Sequence, residues 1–194
     1  ALELERTVTI ADLLSDFKGH LRVTGTAEDT ELTRYLGVAA LQFEDAVSRL
    51  LVAGTVKEHY DDWPWLYYRD FALSRSPVAS FTSVKYYDVD GNQQTWDSAN
   101  YDTDLTSEPA RVKVAEAATL SYPGLETNKY NAVTLEYESG IAADVASLPA
   151  DAVNALFVKA ASLYAPGREA GYVDEEAVER CWWAAVRRYQ WKVQ

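Results

Sequence analysis

The 194-residue chain has no methionine, a single cysteine (Cys181) and only two histidines. One thiol cannot close an intramolecular disulfide, so packing alone must hold the fold. No apolar run approaches the roughly 18 residues that a membrane-spanning helix needs. Cations are scarce, 18 Lys and Arg against 30 Asp and Glu for a formal charge of −12. That balance argues against a general nucleic-acid binder, whose affinity rests on cations neutralising phosphates. The first nine residues alternate Leu with Glu and lack the basic start and apolar centre of a secretion signal. They read as the start of a chain made in the cytoplasm, its initiator methionine removed. What is present is a globular composition, 48% hydrophobic and 25% charged, on a length that suits one large domain or two small ones.

Catalytic marks are missing as well. His20 and His59 stand far apart, with no Cys-x-x-Cys or His-Glu-x-x-His spacing to make a zinc site. No Gly-x-Gly-x-x-Gly, P-loop or Gly-x-Ser-x-Gly run appears. Asp88-Val89-Asp90-Gly91-Asn92 opens like a calcium loop, but its glycine comes too early and the twelfth position is Ala99, not Glu. Asp90-Gly91 reads instead as a hairpin turn, supplying positive φ. Between Lys85 and Arg111 every charged side chain is acidic, including Asp88, Asp90, Asp102 and Asp104. Paired carboxylates could serve a hydrolase, yet a solvated acidic face is the commoner meaning of such a run.

Hydrophobic spacing organises the rest. Ile10, Leu13, Leu14, Phe17 and Leu21 recur at helical intervals, with Thr9 placed to cap. A longer stripe, Leu32, Leu36, Ala39, Phe43, Val47 and Leu51, predicts a helix over 27–52. From Gly54 the pattern turns to short β-branched and aromatic runs, predicting strands at 55–60, 67–73, 81–88, 93–96, 110–115 and 131–138. In the last of these Val133, Leu135 and Tyr137 mark a buried face, and Thr134, Glu136 and Glu138 a wet one. Helical periodicity returns after Pro149, with Val153, Leu156, Phe157, Ala160 and Tyr164 on one face and Pro166-Gly167 as its stop. A final helix over 174–189 carries Val178, Cys181, Trp182, Ala185, Val186 and Tyr189 inward. Its acidic start (Asp174, Glu175, Glu176) and basic end (Arg187, Arg188, Lys192) complement the helix dipole.

The expected class is α+β, a helical bundle with an antiparallel β-region inserted between the second and third main helices. We read residues 1–194 as a single domain: N-terminal helices over 1–53, the β insertion over 54–140, and C-terminal helices over 141–194. Aromatics supply the candidate contacts. Trp63 and Trp65 flank Pro64 in a loop, where they either fold back as a lid over the β core or anchor a partner. Trp183, about 100° round the helix from the core-facing Trp182, and Trp191 fall outside the main seam and favour an interface. Arg187, Arg188 and Lys192 join them as candidate partner-binding residues, although dipole complementarity explains their charge equally well.

One ordered set of residues runs through most of the chain. It begins with Leu21-Arg22-Val23-Thr24 before Glu28-Asp29, then Ala39-Ala40 and Phe43-Glu44 within the long helix. Leu73, Ser76-Pro77-Val78, Val84-Lys85-Tyr86-Tyr87-Asp88 with Asp90-Gly91, and Tyr101 follow. Val133-Thr134-Leu135 with Gly140, Leu148-Pro149, and Leu163-Tyr164 before Arg168 complete it. This set, over about 9–168, resembles the head-tail connector (adaptor, or head-completion) proteins of tailed phages and gene transfer agents. Two features depart from that pattern: Ala165-Pro166-Gly167 interrupts where the family continues helical, and the Trp-rich final helix has no residue-by-residue match.

The resemblance implies a structural virion protein of the neck, not an enzyme, with no cofactor and no membrane partner, assembled in the host cytoplasm. It implies a homo-oligomeric, dodecameric ring whose C-terminal segment docks on the portal while its other end meets a stopper or tail-terminator protein. DNA would leave through the ring without sequence-specific binding, past an acidic lining on which phosphates slide rather than stick; Asp88, Asp90, Asp102 and Asp104 are candidates for that surface. The alternatives are a tail terminator or other neck protein, which would contact the tail tube, and a carboxylate-based hydrolase using those same aspartates.

Overall fold

The structure, a computed structural model, describes residues 1–5, 10–65, 70–115, 122–164 and 174–190. The chain separates into two compact units, one formed by Val8–Val52 with Ile141–Gln194 and the other by Ala1–Thr7 with Ala53–Gly140. Among the described residues the α-helices fall in the first and the named strands in the second, which also holds a 3-10 turn over Ser98–Asn100; this is the α+β class with the sheet region inserted between the second and third α-helices.

In the helical unit a 3-10 turn over Ile10–Leu13 leads into α1 (Leu14–Leu21), followed by α2 (Asp29–Val47), α3 (Ala150–Tyr164) and α4 (Glu175–Tyr189). The stripes named above converge on one core, where Phe17, Leu32, Leu36, Phe43, Val47, Leu156, Ala160 and Val186 are all buried. Rings tie the helices together: Phe17 meets Phe157 at 5.4 Å, and Phe43 meets Trp182 edge-on at 5.4 Å. Such pairs add about 1 kcal/mol each beyond the area they bury.

The predicted extension of α2 to Val52 is corrected. Helix α2 stops at Val47, because Ser48 turns left-handed (φ 57°) and its N–H donates back to the Glu44 carbonyl. The nearly buried Glu44 carboxylate then accepts the Leu51 N–H at 2.9 Å, drawing the chain back across the helix end. Asp174 caps α4 by accepting the Ala177 N–H at 3.0 Å. The expected Thr9 cap and the Pro166-Gly167 stop lie outside the described residues.

The β unit holds β1 (Leu2–Glu5), β2 (Gly54–Tyr60), β3 (Asp70–Ala72), β4 (Val78–Tyr87), β5 (Gln93–Trp96), β6 (Tyr101–Asp104), β7 (Arg111–Val114) and β8 (Val133–Ser139). They form two antiparallel sheets, ordered β1-β2-β8-β4-β5 and β3-β7-β6. Gly91, at φ 80°, makes the β4–β5 hairpin turn where Asp90-Gly91 predicted it. Strands β1 and β6 were not expected. Leu-Glu alternation and an Asp-rich tetrapeptide carry weak strand preference, and both exist through their neighbours, β1 on β2 and β6 on β7.

The central strand β8 departs from its predicted wet face. Thr134 is 9% exposed and its hydroxyl meets His59 Nδ1 at 3.0 Å, while Lys85 Nζ donates to Glu136 at 2.6 Å and Thr55 donates to Glu138 at 2.6 Å. A strand paired on both sides leaves its polar side chains among those of its neighbours, where cross-strand partners replace water.

Buried in this sheet lies Glu58 on β2, 1% exposed. Its carboxylate accepts the Ser74 N–H at 2.8 Å, the Ser74 hydroxyl at 3.0 Å, and the hydroxyls of Tyr60 and Tyr137. Tyr137 in turn accepts the Arg75 N–H at 3.1 Å. Burial first, and the adjacent carboxylate second, push both tyrosine hydroxyls well above their ordinary range. Removing the carboxylate would strand these donors, each costing about 1–3 kcal/mol. Glu58→Ala is therefore expected to lower the opening free energy of β2 and β8 amides in hydrogen exchange by about 3 kcal/mol; unchanged protection contradicts this role.

Candidate functional site

Helix α4 puts its apolar stripe inward and leaves Glu176, Arg180, Trp183 and Arg187 on the opposite side, because three- and four-residue steps return to the same face. Trp183 is 44% exposed, against 5% for Trp182. Its indole N–H donates to Glu179 Oε2 at 2.8 Å, and Lys159 Nζ holds the same carboxylate at 3.1 Å. Both bonds favour the charged form, so the Glu179 carboxyl titrates below its ordinary range, Lys159 contributing most. The ring is thus fixed in orientation while its outer face remains open.

The basic residues divide. Arg188 is spoken for: its Nη1 lies 2.8 Å from Asp151 Oδ2, and the Tyr189 hydroxyl donates to the other Asp151 oxygen at 2.6 Å. Burial first and that carboxylate second push the Tyr189 hydroxyl up to about 12. Arg180 reaches Glu176 at 3.4 Å across an exposed turn. Arg187 is exposed and pairs with no carboxylate among the described residues. Trp191 and Lys192 lie outside the described residues.

Trp63 and Trp65 are core side chains, 4% and 2% exposed, and their reading as partner anchors is corrected. Of the two possibilities for this loop, the structure has the lid: Trp63 packs on Trp96 at 5.0 Å and Tyr122 at 5.6 Å, and Trp65 on Trp96 at 5.7 Å. Their indole N–H groups are satisfied inside, by the Pro123 carbonyl at 3.1 Å and the Val112 carbonyl at 2.9 Å. Other apolar side chains are the exposed ones in this unit. Tyr130 is 82% and Val89 68% exposed, the latter at the hairpin tip. Sequence reasoning passed over both, since a lone apolar residue among turn formers carries no periodic signal.

Of the four aspartates, Asp88 and Asp104 are tied into turns. Asp88 closes the hairpin by accepting the Asp90 and Asn92 N–H groups at 3.1 and 2.9 Å and the Gln94 amide at 2.9 Å, and the Gln94 bond leads in lowering its pKa. Asp90 and Asp102 are exposed, Asp102 lying 3.8 Å from Lys113 on the paired strand. Asp104 accepts from the N–H and hydroxyl groups of both Thr106 and Ser107 and from Arg111 at 3.0 Å. The Ser107 hydroxyl, then Arg111, hold its carboxyl far below the ordinary range. So loaded, it stays ionised and has no proton to give as a general acid. Among the described residues no three His, Cys, Asp or Glu side chains group closely enough to hold a metal ion, and no helix is long and apolar enough to cross a membrane.

The sign of the Asp104 effect follows from its depressed value. In an unfolded chain an aspartate takes up its proton near about pH 4, whereas folded Asp104 does so only at lower pH. Its contribution is complete above the unfolded value and is lost as pH falls through the folded one. In an NMR titration the Asp104 carboxyl carbon and the Thr106 and Ser107 amides should keep their neutral-pH shifts down to about pH 3; a step near about pH 4 contradicts the assignment.

No family model matches the chain, and no curated protein matches it. Solved structures do. A chain in "Neck of empty GTA particle computed with C6 symmetry" aligns at 22% identity with a TM-score of 0.74, covering 100% of this chain and 97% of that one. A chain in "Virion of native gene transfer agent (GTA) particle" aligns at 23% identity and 0.73, covering 100% and 96%. A third, in "Neck of native GTA particle computed with C12 symmetry", aligns at 20% and 0.71, covering 100% and 97%. From end to end, this chain has the fold of chains found in gene transfer agent neck and virion structures.

Proposed function

We propose that this protein is a structural component of the virion neck in a tailed phage or gene transfer agent. As a head-tail connector, or adaptor, it forms a ring beneath the portal, joins the DNA-filled head to the tail and surrounds the channel by which DNA leaves. The observation that carries the reading is the likeness over the full length of both chains to proteins within neck structures computed with C6 and C12 symmetry. A likeness confined to one unit would have pointed only to a common module.

The chemistry on the surface agrees. The paired or hydrogen-bonded carboxylates Asp88, Asp102 and Asp104 serve turns and strand pairs, and α4 presents the exposed Trp183 together with Arg180 and Arg187 on one face, as in a protein that works by contact. A formal charge of −12 suits a wall past which DNA must slide, since phosphates are repelled rather than held. Of the four candidate aspartates, Asp90 and Asp102 have the exposure such a surface needs.

Particles produced without this chain should package DNA and lack attached tails, so that electron micrographs show filled or leaking heads and free tails. Tailed, transfer-competent particles without it contradict the proposal.

A further inference from the structure

The helical unit carries an open groove of about 740 Å³ that the foregoing leaves without a role. Its floor is apolar, built by Leu13, Val145 and Phe157, each under a tenth exposed. Its rim is acidic: Asp12, Asp16 and Asp144 line it and are exposed, and no cation among the described residues pairs with any of them. Asp12 lies in the 3-10 turn and Asp16 in the first turn of α1, so two of the rim charges come from adjoining turns. The Asp144 carboxylate accepts the Ser147 N–H at 2.8 Å, and an apolar trough edged by three carboxylates with no described cation partner is complementary to an apolar ring flanked by cations.

Such a group is displayed on the same unit. Trp183 is 44% exposed, with Arg180 one turn before it and, one turn after it on the same stripe, Arg187, which pairs with no carboxylate among the described residues. The two surfaces cannot meet within one copy. Asn154, a groove residue, donates to Cys181 Sγ at 3.3 Å, which places the groove beside the Cys181 flank of α4. Trp183, two residues further on, is turned by about 200° from Cys181, and its Glu179 partner is held by Lys159 on the other flank. One surface therefore faces each way along the helical layer, as a head-to-tail contact repeated around a closed ring requires.

We propose that the occupant of this groove is a second copy of the chain: Trp183 of one copy seats on the Leu13, Val145 and Phe157 floor of the next, and Arg187 meets the rim carboxylates. The inference rests on the ring reading above and supplies its joint. Aromatic side chains with adjacent arginines are the usual centres of interface energy.

The test uses the full chain with a benzophenone amino acid replacing Trp183, irradiated at increasing protein concentration and again within assembled particles. Cross-links should join different copies, at peptides within 10–21 or 144–157. Asp16→Arg and Arg187→Glu should each lower the yield about tenfold, one close charge pair being worth that much, and Asp16→Arg with Arg187→Glu together should recover it. Cross-links to other peptides, within one copy, or at yields indifferent to these reversals overturn the contact. A chain that occupies necks while cross-linking elsewhere refutes the joint and spares the neck reading. The predicted cross-links in a chain absent from every particle refute the neck reading and spare the joint.

Discussion

The architecture depends on how an entire β unit is carried by a helical chain without breaking it. Where the helical chain stops and resumes, its two ends are tied together: the Ile141 N–H donates to the Leu50 carbonyl at 2.9 Å, the Ala142 N–H to the Leu51 carbonyl at 3.0 Å, and Val52 bridges Ala142. Glu44 completes the tie by holding the Leu51 N–H from the end of α2. With its ends fixed at one place, residues 53–140 can fold as their own sheets while α2, α3 and α4 close one continuous core. Closing so long a loop costs only slowly growing entropy, and each unit recovers that cost by burying its own apolar surface.

Periodic features were legible in the sequence because they reflect burial on one face. The stripes through Leu36 and Phe43, through Leu156 and Ala160, and through Trp182 and Val186 mark helices whose inward faces the structure buries. The Asp90-Gly91 turn was legible for a different reason, a backbone requirement that few residues meet. What escaped depended on partners distant in sequence. Strand β1 needs β2, β6 needs β7, and the end of α2 needs a glutamate carboxylate reaching a backbone four residues past the helix. Glu58 is the clearest case, since nothing around it in the sequence announces Tyr137 and Ser74 as its donors.

The candidate site was legible in part, and along the same lines. Helical geometry separated Trp182 from Trp183, and the structure puts one inside and the other out. For Trp63 and Trp65 local sequence could not choose, because loop tryptophans face whichever way the surrounding sheets provide rings to pack on; here Trp96 and Tyr122 provide them. Arg187 and Arg188 look alike in sequence, and only the position of Asp151 on α3 makes one a structural residue and leaves the other open.

The proposed role turns on contact, with Asp88 and Asp104 committed to turns and Trp183 open on the outer face of α4. The protein's place is the quantity to measure. Single-particle imaging of the neck at side-chain resolution should find this chain, traceable through the Trp63, Trp65 and Trp96 cluster and α4, in a ring of twelve between portal and tail. A neck ring built of a different polypeptide, with this one absent, would contradict the account.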